Sequence, residues 1–183
     1  MSRFYDVGPL GEVAVNLFHG WGYNFYREEN QLRADDQLIR SYACGLLGQA
    51  RASVEAAESD YRRARLPPPT RAQPFPDPQA VAGAQALERL SRAIGAVEGQ
   101  VRHQSVPEND RMTQRYRSEG RTLEALGEFD KLLIGRAELL RTMLTDATGD
   151  AALAQLPELE AGVAALADTL RRRQDVLFGG GAN

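Results

Sequence analysis

The chain has 183 residues, 43% of them hydrophobic and 26% charged, and 22 basic against 25 acidic residues leave a net charge of −3. That length suits one domain with its own core. The charge argues against a general nucleic-acid binder, which carries a clear basic excess, no apolar run approaches the roughly eighteen residues of a membrane-spanning helix, and a single cysteine, Cys44, excludes an intramolecular disulfide.

The first residues read MSRFYDVGPLGEVAVNLFHGW, with Asp6 and Glu12 interrupting the apolar positions. A secretory leader needs an unbroken apolar stretch of roughly seven residues or more. Its absence, with the lone thiol, points to a cytoplasmic protein. Residues 1–23 read as an aromatic N-terminal arm. Leu17–Tyr26 (LFHGWGYNFY) holds the only tryptophan, and Gly20 and Gly22 break any helix there. Trp, Tyr and Arg dominate interface energetics, so this arm reads as a docking element, with a plug over one bundle end as the plainer alternative.

A helical bundle is expected over 24–178. The first helix is predicted over 24–66, where Phe25, Leu32, Ile39 and Leu46 recur every seven residues and Ala43, Ala50, Ala57 and Tyr61 continue the face. Glu29 and Asp36 interrupt that stripe, each with an arginine four residues on (Arg33, Arg40), the favourable order for helical ion pairs. Cys44 falls mid-helix among small residues, the setting of a buried, inert thiol.

Six of the nine prolines lie in the connection 67–78, which is expected to be extended. A second helix follows over 79–103, with Asp77 as its N-cap and Pro78 in the first turn. It carries Leu87, Leu90, Ile94, Val97 and Val101 at alternating spacings of three and four.

The third helix is predicted over 106–148 from Met112, Tyr116, Leu123, Leu126, Leu133, Ala137, Leu140 and Leu144, opened by a Ser105/Glu108 capping box. Glu119 and Asp130 interrupt its stripe. The fourth is predicted over 151–178 from Leu156, Leu159, Val163, Leu166, Leu170 and Leu177. Gly149 reads as the end of the third helix, Asp150 as the next N-cap, and Gly179 as the last stop, before a flexible Gly-rich tail at 179–183. Arg171, Arg172 and Arg173 read as last-turn charges that complement the helix dipole.

Together these elements give an all-α fold, an antiparallel four-helix bundle with coiled-coil-like seams, two long helices and two shorter ones. The long pair is expected to extend past the short pair. Gly45, Gly48, Gly95, Gly99, Gly120, Gly127 and Gly135 each cost a helix about 1 kcal/mol against alanine, so close helix approach or a bend near Gly45 and Gly48 is expected as an offset.

No phosphate loop, dinucleotide fingerprint, nucleophile elbow or HExxH motif occurs. The reading is a non-enzymatic interaction protein: an accessory subunit, assembly factor or adaptor that docks on a larger cytoplasmic complex. Its partner-binding residues are Phe18, His19, Trp21, Tyr23, Tyr26, Glu29, Arg33, Asp36 and Arg40; a protein partner is implied, self-association is compatible, and no cofactor or metal is called for. The alternative is a metal- or cofactor-dependent helical enzyme with Glu29, Asp36, Glu119 and Asp130 turned inward, helped by His19 or His103. It lacks the Glu-x-x-His pairs of di-iron bundles. A self-associating scaffold or granule coat is the third reading.

Overall fold

A computed structural model describes residues 29–71, 73–104 and 119–179, and side chains over 37–71, 73–104 and 126–176. Among these residues the chain is all-helical. Five helices pack together: α1 (Glu29–Arg65), α2 (Pro78–Arg102), α3 (Glu119–Leu144), α4 (Gly149–Ala154) and α5 (Leu156–Gly179). No helix among them is long and apolar enough to cross a membrane. The aromatic arm, the Ser105/Glu108 capping box and the tail beyond Gly179 lie outside the described residues.

Each helix forms where an apolar residue returns every three or four positions. In α1 the buried row is Ile39, Ala43, Leu46, Ala50, Val54 and Ala57; in α2 it is Ala80, Ala84, Leu87, Leu90, Ile94, Val97 and Val101. These rows meet Leu133, Ala137, Leu140 and Leu144 of α3 and Leu159, Val163, Leu166 and Leu170 of α5 in one continuous core. α1 packs on α2 and α3, and α5 packs on α3 and α2, so the four long helices close a ring.

Polar contacts give the directions. Arg40 reaches Gln104, Arg51 reaches Glu98, Ser91 reaches Glu55 and Arg62 reaches Glu88, so α1 numbers rise as α2 numbers fall. Along α3 and α5, Arg136 meets Ala165 and Thr169 while Asp130 meets Arg173, again in opposite order.

The predicted N-cap is present: the Asp77 carboxylate accepts from the Gln79 amide at 3.1 Å, with Pro78 opening α2. Two boundaries differ from the expectation. α3 ends at Leu144 rather than Thr148, because Asp146 takes a left-handed backbone conformation (φ 56°), which aspartate tolerates better than most side chains. The cap of the following helix is then Thr148, whose hydroxyl accepts from the Ala151 amide at 3.2 Å, and Gly149 becomes its first residue instead of the last of α3. The predicted fourth helix is also two helices, divided at Gln155. Pro157 has no N–H to give and disfavours helical backbone in the residue before it, so the chain restarts as α5.

The glycines correct another expectation. A Cβ at Gly45, Gly48, Gly99 or Gly127 would meet nothing within 4 Å among the described residues, so none of the described elements approaches closely there. The close approaches are at Gly83 and Gly149. A Cβ on Gly83 would lie 2.6 Å from the Tyr61 hydroxyl, and one on Gly149 would lie 2.6 Å from Tyr61 Cβ and 3.0 Å from the Ala57 carbonyl oxygen. Tyr61 is thus wedged between α2 and the start of α4.

Candidate functional site

The apolar stripes of α3 and α5 are each interrupted by one charged residue toward the same end of the molecule. In α3, Asp130 occupies the stripe position between Leu126 and Leu133; in α5, Arg173 follows Leu170 by one helical step. The sequence alternation of three and four carries both side chains inward, and they are 8% and 1% exposed. Arg173 Nε donates to Asp130 Oδ1 at 2.8 Å, and its Nη1 donates to Gln104 Oε1 at 3.0 Å.

Gln104 lies just past the α2 C-cap and ties this layer together. Its Nε2 donates to the Leu170 carbonyl at 3.2 Å, and its own carbonyl accepts from Arg40 Nη1 at 2.8 Å. One glutamine therefore links α1 to α5 at the end of α2, and Arg173 extends the tie to α3. A short step up the same α3–α5 interface, buried Arg136 donates to the Ala165 carbonyl at 2.7 Å and to the Thr169 hydroxyl, which itself donates to Ala165.

A buried ion pair of this kind seldom adds net stability over apolar residues of the same shape. Removing one partner, however, leaves a desolvated charge and costs about 3–5 kcal/mol. What the layer supplies is a definite match: one carboxylate, one guanidinium fork and one amide fit a single register of the four helices at this level.

Of the predicted docking residues, Arg40 is the one whose side chain is described, and its guanidinium turns toward Gln104. Glu29, Arg33 and Asp36 lie in α1, with their side chains outside the described set; Phe18, His19, Trp21, Tyr23 and Tyr26 lie outside it altogether. Of the residues in the metal alternative, Glu119 opens α3, and Asp130 is interior, but its carboxylate faces Arg173. His103 caps α2, exposed, with Nδ1 2.8 Å from the Gly99 carbonyl oxygen. Among the described residues no three of His, Cys, Asp and Glu gather where they could hold a metal ion. Cys44 is half-buried with its thiol directed at the Glu98 carbonyl at 3.7 Å. Burial pushes its pKa up, against a partial downward pull from its contact with Arg102.

Gln104 and Arg136 gave no sequence signal. Arg173, expected as a last-turn charge, is instead interior and short of the last turn of α5; the gap of two helical turns between Leu170 and Leu177, which it fills, is the signal that could have found it.

Below this layer two helices run on. α1 begins eleven residues before Arg40, and α3 eleven residues before Asp130, roughly 16 Å each at 1.5 Å per residue, while α2 stops at Arg102. Leu38, in the overrunning part of α1, is 40% exposed. Comparison with protein-family models, characterised proteins and solved structures gives no match to this chain.

Proposed function

We propose that the protein is a non-enzymatic helical interaction protein, an accessory subunit, assembly factor or adaptor, which docks on a larger cytoplasmic protein complex through the N-terminal third of α1 and the aromatic arm before it. In this reading the four long helices act as an antiparallel bundle with coiled-coil-like seams, whose rigid end presents the docking helix. The observation that carries it is the overrun of α1: eleven residues, with Leu38 at the surface, extend beyond the point where Arg40 ties α1 to the end of α2. Phe18, Trp21, Tyr23 and Tyr26 supply aromatic anchors. Glu29, Arg33 and Asp36 supply the charge pattern that sets register on a partner helix.

The test is affinity purification at endogenous level, with mass spectrometry of the intact complex and elemental analysis of the same sample. A stoichiometric protein partner is expected, and W21A and Y26A are each expected to weaken its binding at least about thirtyfold, as loss of an interface anchor does, with helical content unchanged. Binding that survives both substitutions removes the arm from the interface. Near-stoichiometric iron, manganese or zinc in the purified protein overturns the reading in favour of chemistry at the carboxylates.

A further inference from the structure

The opposite end of the molecule, where α1 finishes, carries two features that the docking reading does not use. The first is a knob. Phe75 is 83% exposed, by far the most exposed large apolar side chain among the described residues. It sits between Pro74 and Pro76 in the connection from α1 to α2. Prolines fix their own φ and hold the residue before them extended, so Phe75 has little backbone freedom. The loop is pinned further back, where the Thr70 amide donates to the Gln73 carbonyl at 3.0 Å and the Gln73 amide returns to Thr70. An aromatic ring held outward on a braced loop loses little entropy when it is captured.

The second feature is a groove of about 480 Å³ between the last turns of α1 and the α3–α4 connection. Its floor is apolar and cut low by small residues: Ala57, Ala64 and Ala147 beside Leu144 and the wedged Tyr61. An apolar cavity of about 150 Å³ suffices for a benzene ring, so the groove has room for a phenyl group and a flanking proline. Its rim is acidic. Asp60, Asp146 and Asp150 stand at its edge with Arg65; Asp60 pairs with Arg63 at 3.4 Å and Asp150 with Arg65 at 2.8 Å, while Asp146 makes no hydrogen bond or ion pair among the described residues. The knob carries the complementary charge: Arg71 is exposed, four residues before Phe75, and equally without a partner among the described residues.

We propose that two copies of the chain associate through this end, the Phe75 ring of each seated in the Ala57–Tyr61 groove of the other, with Arg71 against the Asp60 and Asp146 carboxylates. Knob and groove sit at the same end of one molecule, since the loop leaves α1 directly after Arg65, itself on the groove wall. The exchange can therefore be reciprocal and close as a two-fold dimer rather than propagate. The contact is small, so the dimer dissociates on dilution.

The test is sedimentation or light scattering of the full chain across a concentration series, with circular dichroism as the check on folding. The wild type is expected to dimerise. Phe75→Ser removes the knob from a solvent-exposed position and is expected to raise the dissociation constant at least about thirtyfold (~2 kcal/mol at 1.4 kcal/mol per tenfold) with the thermal midpoint unchanged. Ala56→Arg, an exposed position on the groove wall, is expected to do the same by filling the seat. Mixing the two variants restores one knob and one groove and is expected to give a one-to-one heterodimer. A wild type monomeric at its solubility limit overturns the proposal, as does a dimer that either substitution leaves intact or a mixture that stays monomeric.

Discussion

Arg173 lies in a run of three arginines expected in a last helical turn; α5 runs on to Gly179, so none of them is in its last turn, and Arg171 and Arg172 are exposed and pair with Asp168 on their own helix. Arg173 differs only in helical phase, which turns it 100° to the core side and onto Asp130. Replacing it by leucine removes a guanidinium while Asp130 stays in the interior. A loss of about 3–5 kcal/mol is expected, measured by urea denaturation, while Arg173→Leu combined with Asp130→Leu should recover most of it. A double variant as unstable as the sum of the singles would mean the pair is not energetically coupled. Half of this site was legible in the sequence. Asp130 was marked as a break in a regular stripe; Arg173 breaks the neighbouring stripe in the same way but was read as a last-turn charge, so the pairing itself was missed. Gln104 was not legible, because its role comes from where α2 stops. Cys44 permits a pH test at the same scale. The folded pKa is raised, so the thiolate is scarcer than in the unfolded chain at any given pH. Alkylation by iodoacetamide should be slower than in denaturant at pH 8 and should keep accelerating above pH 9. The sign for stability follows: the contribution is intact below the unfolded pKa and is lost as pH rises through the folded one.

At the scale of elements, the hydrophobic rows located every long helix, because three-and-four spacing is what a helix needs to bury one face. What they did not locate was the interruption after Leu144. An apolar stripe is blind to backbone: Asp146 in the left-handed region, the Thr148 cap and Pro157 decide where helices stop, and none alters the stripe. The glycines teach the same lesson from the other side. Composition marked all helical glycines alike, yet Gly83 and Gly149, which face Tyr61, are closely packed, while a Cβ at Gly45, Gly48, Gly99 or Gly127 would meet no described atom within 4 Å. Gly149→Ala would drive a methyl against Tyr61 Cβ and the Ala57 carbonyl oxygen, neither of which can swing away, and should cost about 1–3 kcal/mol. Gly45→Ala and Gly48→Ala place a methyl in open space on a helix and should each stabilise by about 0.5–1 kcal/mol. Thermal and urea denaturation of the three variants checks the contrast. If Gly48→Ala destabilises the chain, the backbone of α1 is not helical in the ordinary way at that point.

For the whole molecule, the unequal lengths separate what holds the fold from what is proposed to dock. The described core starts at Ile39, one residue before Arg40 ties α1 to Gln104, and continues without a break to the Tyr61 wedge at the far end. Everything of α1 before that tie runs beyond the end of α2. A chain beginning at Asp36 should therefore keep a cooperative thermal transition and its full set of core contacts, because the Arg40–Gln104–Arg173–Asp130 layer still closes that end. The same chain should lose its partner, because the aromatic arm and the overrun of α1 are gone. A truncation reaching Leu47 is a different case: it removes Ile39, Ala43 and Leu46 from the core, together with Arg40, and should fail to fold. Circular dichroism melts and partner pull-down on the two truncations, beside the full chain, give the comparison. Loss of binding with the fold retained assigns the overrun to recognition. Collapse of the shorter truncation would show instead that the first turns of α1 belong to the core, and that the docking surface lies elsewhere on the molecule.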